Sequence, residues 1–210
     1  MSAPALRWYF DFISPFAYLQ WPRVRELAAQ RPVALVPIAF GAVLAAHSHK
    51  GPAEIPGKRE FTYRHVLWQA RRAGTPLRFP PAHPFNPLAA LRLSIAAGDT
   101  PEAVGAIYDW IWGRGQAGDS VEALGPVAAQ LGVPIEAIGS EAVKTALRAN
   151  TEAALMAGVF GVPTLSIGPH LFWGNDAHDF ALDALQHPEM LEDPEMQRLQ
   201  QLPIGVQRRA

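Results

Sequence analysis

The 210-residue sequence contains no cysteine. This absence excludes disulfide bonds, thiolate nucleophiles and cysteine-ligated metals, so any thiol that takes part in chemistry has to come from another molecule. Zinc sites built on histidine usually need three or four ligands, and the His47-x-His49 pair has no third partner at a suitable spacing, with His83 lying elsewhere in the chain. We therefore expect no metal.

The sequence also has almost no net charge. The 18 Lys and Arg residues are balanced by 19 Asp and Glu residues, which gives no electrostatic footprint for nucleic acid. No apolar run approaches the ~20 residues that a membrane helix needs, and the N-terminus lacks the regions of a secretory signal. We expect a cytoplasmic protein that binds neither nucleic acid nor membrane.

Alternating structural patterns are present in the first 40 residues. The stretch LRWYFDF at 6–12 is aromatic and β-prone, residues 15–30 carry apolar side chains at helical spacing, and PVALVPIAF at 32–40 is a second short strand. This β-α-β order predicts two parallel strands joined by a right-handed crossover.

The pattern then becomes helical until about residue 156. Gly, Pro and polar residues separate segments near 58–73, 86–98, 101–113, 120–131 and 140–157. Strand character returns at 163–168 and 170–173, and a final helix is predicted at 175–186.

These elements predict an α/β, thioredoxin-like fold with a large all-helical insertion domain. Residues 1–40 and 157–187 would form the core, and the insertion would be 41–156, whose helix at 140–156 packs at the junction. Residues 188–210 are interpreted as a C-terminal tail.

Four sequence blocks carry a resemblance to a known family. They are FDFISPFAY (10–18), KREFTYRH (58–65), FPPAHPFNPLAALR (79–92) and VFGVPTLSIGPHLFWGND (159–176). Together they resemble the 2-hydroxychromene-2-carboxylate isomerase family, whose relatives are the kappa-class glutathione transferases and, more remotely, the DsbA-type oxidoreductases. The resemblance implies glutathione as cofactor, bound between the thioredoxin fold and the insertion, and a homodimer.

Ser14 is the central candidate. On the residues alone, Ser14-Pro15 after a strand is typical of a helix N-cap. The resemblance implies that Ser14 is the catalytic serine, at the place where redox relatives keep an attacking cysteine. A hydroxyl at a helix N-terminus can donate to a sulfur anion, and the helix dipole favours negative charge there.

Two further segments are implied to bind glutathione. Pro163 would form a cis peptide bond, so that the backbone of Val162 pairs with the cysteinyl part. The turn at 173–176 would receive the γ-glutamyl end. Its residues are Trp173, Gly174, Asn175 and Asp176. An ordinary strand-opening proline and a simple helix cap remain the alternatives. Ala177 stands where the family commonly has Arg.

Three residues are candidates for the substrate side of the cleft: Phe16, Lys58 and Asn86. Lys58 could offset a carboxylate or be a solvated charge at a helix start. Asn86 could face the cleft or cap the helix that begins at Pro87. His65 departs from the family, which usually has Asp in this helix.

The resemblance implies a glutathione-dependent isomerase of an unsaturated aromatic 2-oxo acid or its cyclic hemiketal. Two alternatives remain open. A kappa-class-like glutathione transferase would consume glutathione, whereas a Cys-free thioredoxin-fold binding protein would hold peptides without chemistry.

Overall fold

A four-stranded mixed sheet forms the centre of the computed structural model, which describes residues 5–206. The strands are β1 (Leu6–Phe10), β2 (Val33–Pro37), β3 (Thr164–Ile167) and β4 (His170–Trp173). They follow the order β2-β1-β3-β4, with β1 parallel to β2 and antiparallel to β3, and β3 antiparallel to β4. The predicted thioredoxin-like α/β fold is confirmed, including the parallel first pair.

Helices occupy most of the remaining chain. They are α1 (Pro15–Gln30), α2 (Phe40–Ala46), α3 (Lys58–Ala73), α4 (Leu88–Ala96), α5 (Pro101–Tyr108), α6 (Gly125–Gln130), α7 (Ile135–Ile138), α8 (Glu141–Met156), α9 (His178–Gln186) and α10 (Pro194–Leu199). A π-helical turn at Asp109–Gly113 continues α5, and 3₁₀ turns cover Pro52–Glu54 and Pro188–Glu192. None of the helices in the described part is long and apolar enough to cross a membrane.

Aromatic side chains join the sheet to the helices between β2 and β3. The rings of Trp8 and Phe10 stack at 4.6 Å between centroids, and Tyr108 lies 4.7 Å from Phe12. Trp112 is fully buried in the same cluster, which continues into α4 and α6. Burying such rings against each other is strongly favourable, so the sheet and the helical segment share one apolar core. The division into a core and an insertion domain stays a prediction.

The structure departs from the sequence-based elements at several ends. The unbroken apolar run 32–40 predicts a strand that reaches Phe40, but β2 ends at Pro37 and Phe40 is the first residue of α2. The tail predicted at 188–210 contains α10, which Asp193 caps by accepting hydrogen bonds from the backbone N–H groups of Glu195 and Met196. Residues 207–210 of that tail, and residues 1–4 of the predicted core, lie outside the described residues.

Gly174, directly after β4, occupies a backbone conformation that requires glycine. Its φ is 97°, and a Cβ there would collide with the carboxylate of Asp176. We expect Gly174→Ala to lower the free energy of unfolding by about 1–3 kcal/mol, because a non-glycine residue is strained at this φ. Chemical denaturation measures the change.

The matched control is Gly41→Ala in α2, where an added Cβ meets no atom within 4 Å. Alanine is favoured over glycine in helices, so this variant should be neutral or stabilised by up to ~1 kcal/mol. Equal stability of both variants would contradict the assigned strain at Gly174.

Candidate active site

Ser14 lies between β1 and the first turn of α1. It is buried, with 7% of its surface exposed, and its Oγ accepts a hydrogen bond from the N–H of Ala17 at 3.2 Å. Within residues 5–206, neither the hydroxyl hydrogen of Ser14 nor the N–H of Phe16 has a hydrogen-bond acceptor. Ser14 therefore caps the helix and still offers a donor, next to a free N–H at the positive end of a 16-residue helix.

Val162 and Pro163 lie beside the end of β1. The register pairs Tyr9 with Thr164, so the two residues before β3 lie next to the end of β1. The Ser14 loop, residues 11–14, starts from this end of β1. Their peptide bond is cis, as predicted. The described residues provide no hydrogen-bond partner for the N–H or C=O of Val162. An extended peptide could therefore pair with this backbone.

The turn at 173–176 is connected to both preceding segments. The N–H of Gly174 donates to the carbonyl of Pro163 at 2.8 Å, and the carbonyl of Gly174 accepts from Gln20 Nε2 of α1 at 3.4 Å. Ala177 is the N-cap of α9, so neither Asn175 nor Asp176 is used as the helix cap. Both side chains keep acceptor oxygens for another partner.

Trp173 covers the segment before Pro163. Its indole packs so closely on Gly161 that any Cβ there would collide with it, and it makes an edge contact with Phe160 at 5.4 Å. The indole is still 55% exposed. Trp173 thus forms an apolar wall beside the free backbone of Val162.

The three substrate-side candidates occupy different surroundings. Phe16 is half-buried and makes an edge contact with His65 of α3 at 6.3 Å. Lys58 is the exposed first residue of α3 and forms no ion pair with any described residue. Asn86 Oδ1 accepts from the N–H of Leu88, the first residue of α4, at 3.1 Å, whereas Pro87 occupies the N-cap position.

Side chains that the sequence did not single out hold the loop before Ser14. The carbonyl of Phe12 accepts from Trp112 Nε1 at 2.7 Å, and the carbonyl of Ile13 accepts from His83 Nε2 at 2.9 Å. Tyr108 donates its hydroxyl hydrogen to the carbonyl of Asp11 at 3.4 Å. All three donors come from the helical segment between β2 and β3.

His83 is a neutral donor in this arrangement. Burial lowers its pKa, the hydrogen bond to Ile13 opposes that change, and the charge of Arg59 lowers it further. Because the Ile13 carbonyl can only accept, the hydrogen is on Nε2, while the Tyr63 hydroxyl lies 2.7 Å from Nδ1. No sequence pattern indicates this role of His83, because Ile13 lies 70 residues away. In residues 5–206 no group of three or more potential ligands could hold a metal.

Asp11 is fully buried beneath the Ser14 loop. Its two carboxylate oxygens accept from the N–H groups of Ile13 at 3.0 Å and Phe40 at 2.9 Å. Burial nevertheless raises its pKa from 3.8 to about 7, because these hydrogen bonds offset only part of the cost of removing the charge from water. Asp11 thereby joins the loop to the start of α2.

Gln20 links α1 to the turn at 173–176. Its Oε1 accepts from Trp8 Nε1 at 2.7 Å, and its Nε2 lies 3.3 Å from Nδ1 of the buried His178. Burial first, and then the charge of Arg23, lower the pKa of His178 to about 4, so its Nδ1 is a lone-pair acceptor near neutral pH. No sequence spacing could reveal this bridge, since Gln20 and His178 are 158 residues apart.

The chain is similar to known proteins along most of its length. A family model described as a DSBA-like thioredoxin domain matches residues 5–186. A 2-hydroxychromene-2-carboxylate isomerase of Pseudomonas putida is 31% identical over 177 residues, which cover 80% of this chain and 87% of that protein. The chain belongs to the 2-hydroxychromene-2-carboxylate isomerase family.

A solved structure of a member of this isomerase family superposes with a TM-score of 0.74 at 25% identity, covering 91% of this chain and 98% of the other. Glutathione S-transferase kappa 1 of Caenorhabditis elegans is 23% identical over 213 residues, covering 90% of this chain and 94% of that protein. The family and fold expected from the sequence blocks are confirmed.

Titration of Asp11 should make stability depend on pH. Between pH ~4 and ~7 the folded chain keeps a proton on Asp11 that the unfolded chain has released, so raising the pH favours unfolding. The contribution is complete below the unfolded pKa and is lost as the pH rises through the folded pKa. We expect the stability difference between wild type and Asp11→Asn to shift by up to ~1.4 kcal/mol per pH unit in this range.

Urea denaturation of both proteins from pH 4.5 to 8 measures this difference in the free energy of unfolding. Titratable groups that the two proteins share contribute equally to both and cancel in the difference. Asp119→Asn, at an exposed position, is the control for the substitution itself. A pH-independent difference for Asp11→Asn would show that Asp11 does not titrate in the folded state as assigned.

Replacing His83 should loosen the Ser14 loop. In His83→Phe the ring packing against Trp112 is largely kept, but the Ile13 carbonyl loses its donor, which should cost about 1–2 kcal/mol of unfolding free energy. His83→Gln offers an amide N–H near the position of Nε2 and should recover part of the loss. His49→Phe in an exposed loop is the control. Wild-type stability of His83→Phe would contradict the assigned hydrogen bond.

Proposed function

We propose that this chain is a glutathione-dependent isomerase that acts on an unsaturated aromatic 2-oxo acid or its cyclic hemiketal. The observation that carries the proposal is the free hydroxyl hydrogen of Ser14 beside the free N–H of Phe16 at the start of α1. Two donors at a helix N-terminus suit an anion, and a chain without cysteine has to receive its thiolate from outside.

The chemistry of the donor set fits glutathione. The unpaired N–H and C=O of Val162 match the needs of a peptide backbone, and the acceptor oxygens of Asn175 and Asp176 suit an ammonium group. Bound glutathione would supply a thiolate that adds reversibly to a conjugated carbon of the substrate, so that the former double bond can rotate before the thiolate leaves unchanged.

Ser14 and the end of α1 stabilise negative charge at the sulfur position. A free thiol has a pKa of ~8.5, and helix N-termini lower it by one to several units. The hydroxyl of Ser14 donates a hydrogen bond to the anion. The N–H of Phe16 is a second donor, and as a backbone group it requires no ordering of a side chain. Ser14 is therefore the catalytic residue, and it remains covalently unmodified.

Aromatic side chains on α3 support an aromatic substrate. His65 contacts Phe61 and Trp68 with ring centroids 5.5 and 5.9 Å apart, and Phe16 adjoins the same row. Phe61 is 63% exposed and can stack on a substrate, whereas the Trp68 ring already packs against His65 and the guanidinium of Arg72. Lys58 at the start of the helix could attract the substrate carboxylate.

The similarity to a kappa-class transferase makes glutathione transfer the second candidate reaction. A transferase consumes one glutathione for each product molecule, whereas an isomerase turns over with substoichiometric glutathione. A binding protein would show no turnover that depends on Ser14. We further propose, from the family resemblance, a homodimer in the cytoplasm, where thiols are kept reduced.

Ser14→Ala should separate capping from catalysis. Losing the cap costs ~1 kcal/mol of stability, whereas losing a donor to the reacting anion should lower turnover by about 10²–10³-fold at pH 7. Turnover of 2-hydroxychromene-2-carboxylate with substoichiometric glutathione, measured from pH 6 to 9, tests this. Raising the pH should partly rescue the variant, because more glutathione ionises without help.

Ser140→Ala is the matched control, since the Oγ of Ser140 caps α8 by accepting from the N–H of Val143. It should lose a similar stability and keep full turnover. If Ser14→Ala also keeps full turnover, Ser14 is only a helix cap and the mechanism fails.

A further inference from the structure

A chain of polar side chains runs from α3 to the turn after β4. Gln69 Oε1 accepts from Asn175 Nδ2 at 2.8 Å, and Gln69 Nε2 donates to His65 Nε2 at 2.9 Å. All three side chains are half-buried. This is a direct side-chain hydrogen bond between α3 and the turn at 173–176, across 106 residues of sequence.

The chain has a direction. A carboxamide has a donor end and an acceptor end, so once His65 Nε2 accepts from Gln69, the oxygen of Gln69 must face Asn175. Only the NH₂ group of Asn175 can satisfy that oxygen. The remaining end of the Asn175 amide, Oδ1, is therefore an acceptor, and no described residue donates to it. Against this orientation of Gln69, reversing Asn175 alone would place its oxygen against the oxygen of Gln69.

We propose that Gln69 is a positioning residue that makes the glutathione cleft specific for an ammonium group. It holds Asn175 with Oδ1 free, and Oδ1 then accepts from the γ-glutamyl ammonium alongside the carboxylate of Asp176. A flipped Asn175 would present NH₂ to a cation and repel it. This inference rests on the proposed binding of glutathione.

The proposal predicts a change in discrimination between ligands. We compare glutathione with glutaryl-cysteinyl-glycine, the same peptide with hydrogen in place of the ammonium group, by isothermal titration calorimetry. In wild type, glutathione should bind more tightly. In Gln69→Met, which keeps the side-chain length without polar atoms, the ratio of the two Kd values should fall by roughly tenfold, the value of one charge-assisted hydrogen bond.

Gln69→Glu keeps an oxygen facing Asn175 Nδ2 and adds a negative charge near the proposed ammonium position, so the ratio should not fall. Gln30→Met, at the exposed end of α1, is the control for the substitution itself and should leave both Kd values unchanged. If Gln69→Met folds poorly, Gln69→Ala tests the same point, since alanine is well tolerated in a helix.

The outcomes separate the two proposals. If Gln69 had only a structural role, its replacement would weaken the binding of both ligands equally. An unchanged ratio of the two Kd values in Gln69→Met or Gln69→Ala therefore overturns the inference, while the proposed binding of glutathione stands. Wild-type protein that binds neither peptide at millimolar concentration overturns the proposed function, and this inference with it.

Discussion

The backbone carbonyls of residues 11–13 are held by side chains, and the candidate site depends on these hydrogen bonds. Tyr108, Trp112 and His83 each donate to one carbonyl. Because these carbonyls point to donors from the helical segment, the loop reaches α1 in a single conformation with Ser14 at the cap. The position of Ser14 therefore depends on a helical segment that lies far from it in sequence.

Asp11 shows what this arrangement costs. A carboxylate without exposure to solvent is unfavourable unless hydrogen bonds compensate, and its raised pKa indicates that two backbone donors compensate only in part. An apolar residue would avoid this penalty but would leave the N–H groups of Ile13 and Phe40 without acceptors. Burial of the Asp11 carboxylate lowers the free energy of unfolding near neutral pH, but its two hydrogen bonds fix the backbone at Ile13 and Phe40 beneath the site.

The turn at 173–176 is held from three directions, by Pro163, Gln20 and Gln69. Each contact comes from a different part of the chain, so the turn cannot move relative to α1 without breaking hydrogen bonds. Pre-organised groups of this kind bind a ligand without the entropic cost of ordering them. Among the described residues, the N–H and C=O of Val162 beside this turn have no hydrogen-bond partner.

The sequence by itself determined the order of elements along the chain and the place of Ser14, because these follow from local patterns such as the β-α-β start and a Ser-Pro helix cap, and its four motif blocks indicated the family. It also located the cis peptide bond before β3 and excluded any thiol of the chain's own. The ends of elements were less certain where an apolar run such as 32–40 contains both a strand and the start of a helix.

Only the tertiary structure decided which side chains support the site. Gln20, Gln69 and His83 act through partners 154, 106 and 70 residues away, respectively, and no periodicity connects such positions. The tertiary structure also shows that Asn86 Oδ1 accepts a hydrogen bond from the first residue of α4. Asn175 bonds Gln69 through its NH₂ group, and no described residue donates to its Oδ1. Local sequence encodes secondary structure, but the direction of a hydrogen bond depends on which groups folding brings within 3 Å or so of each other.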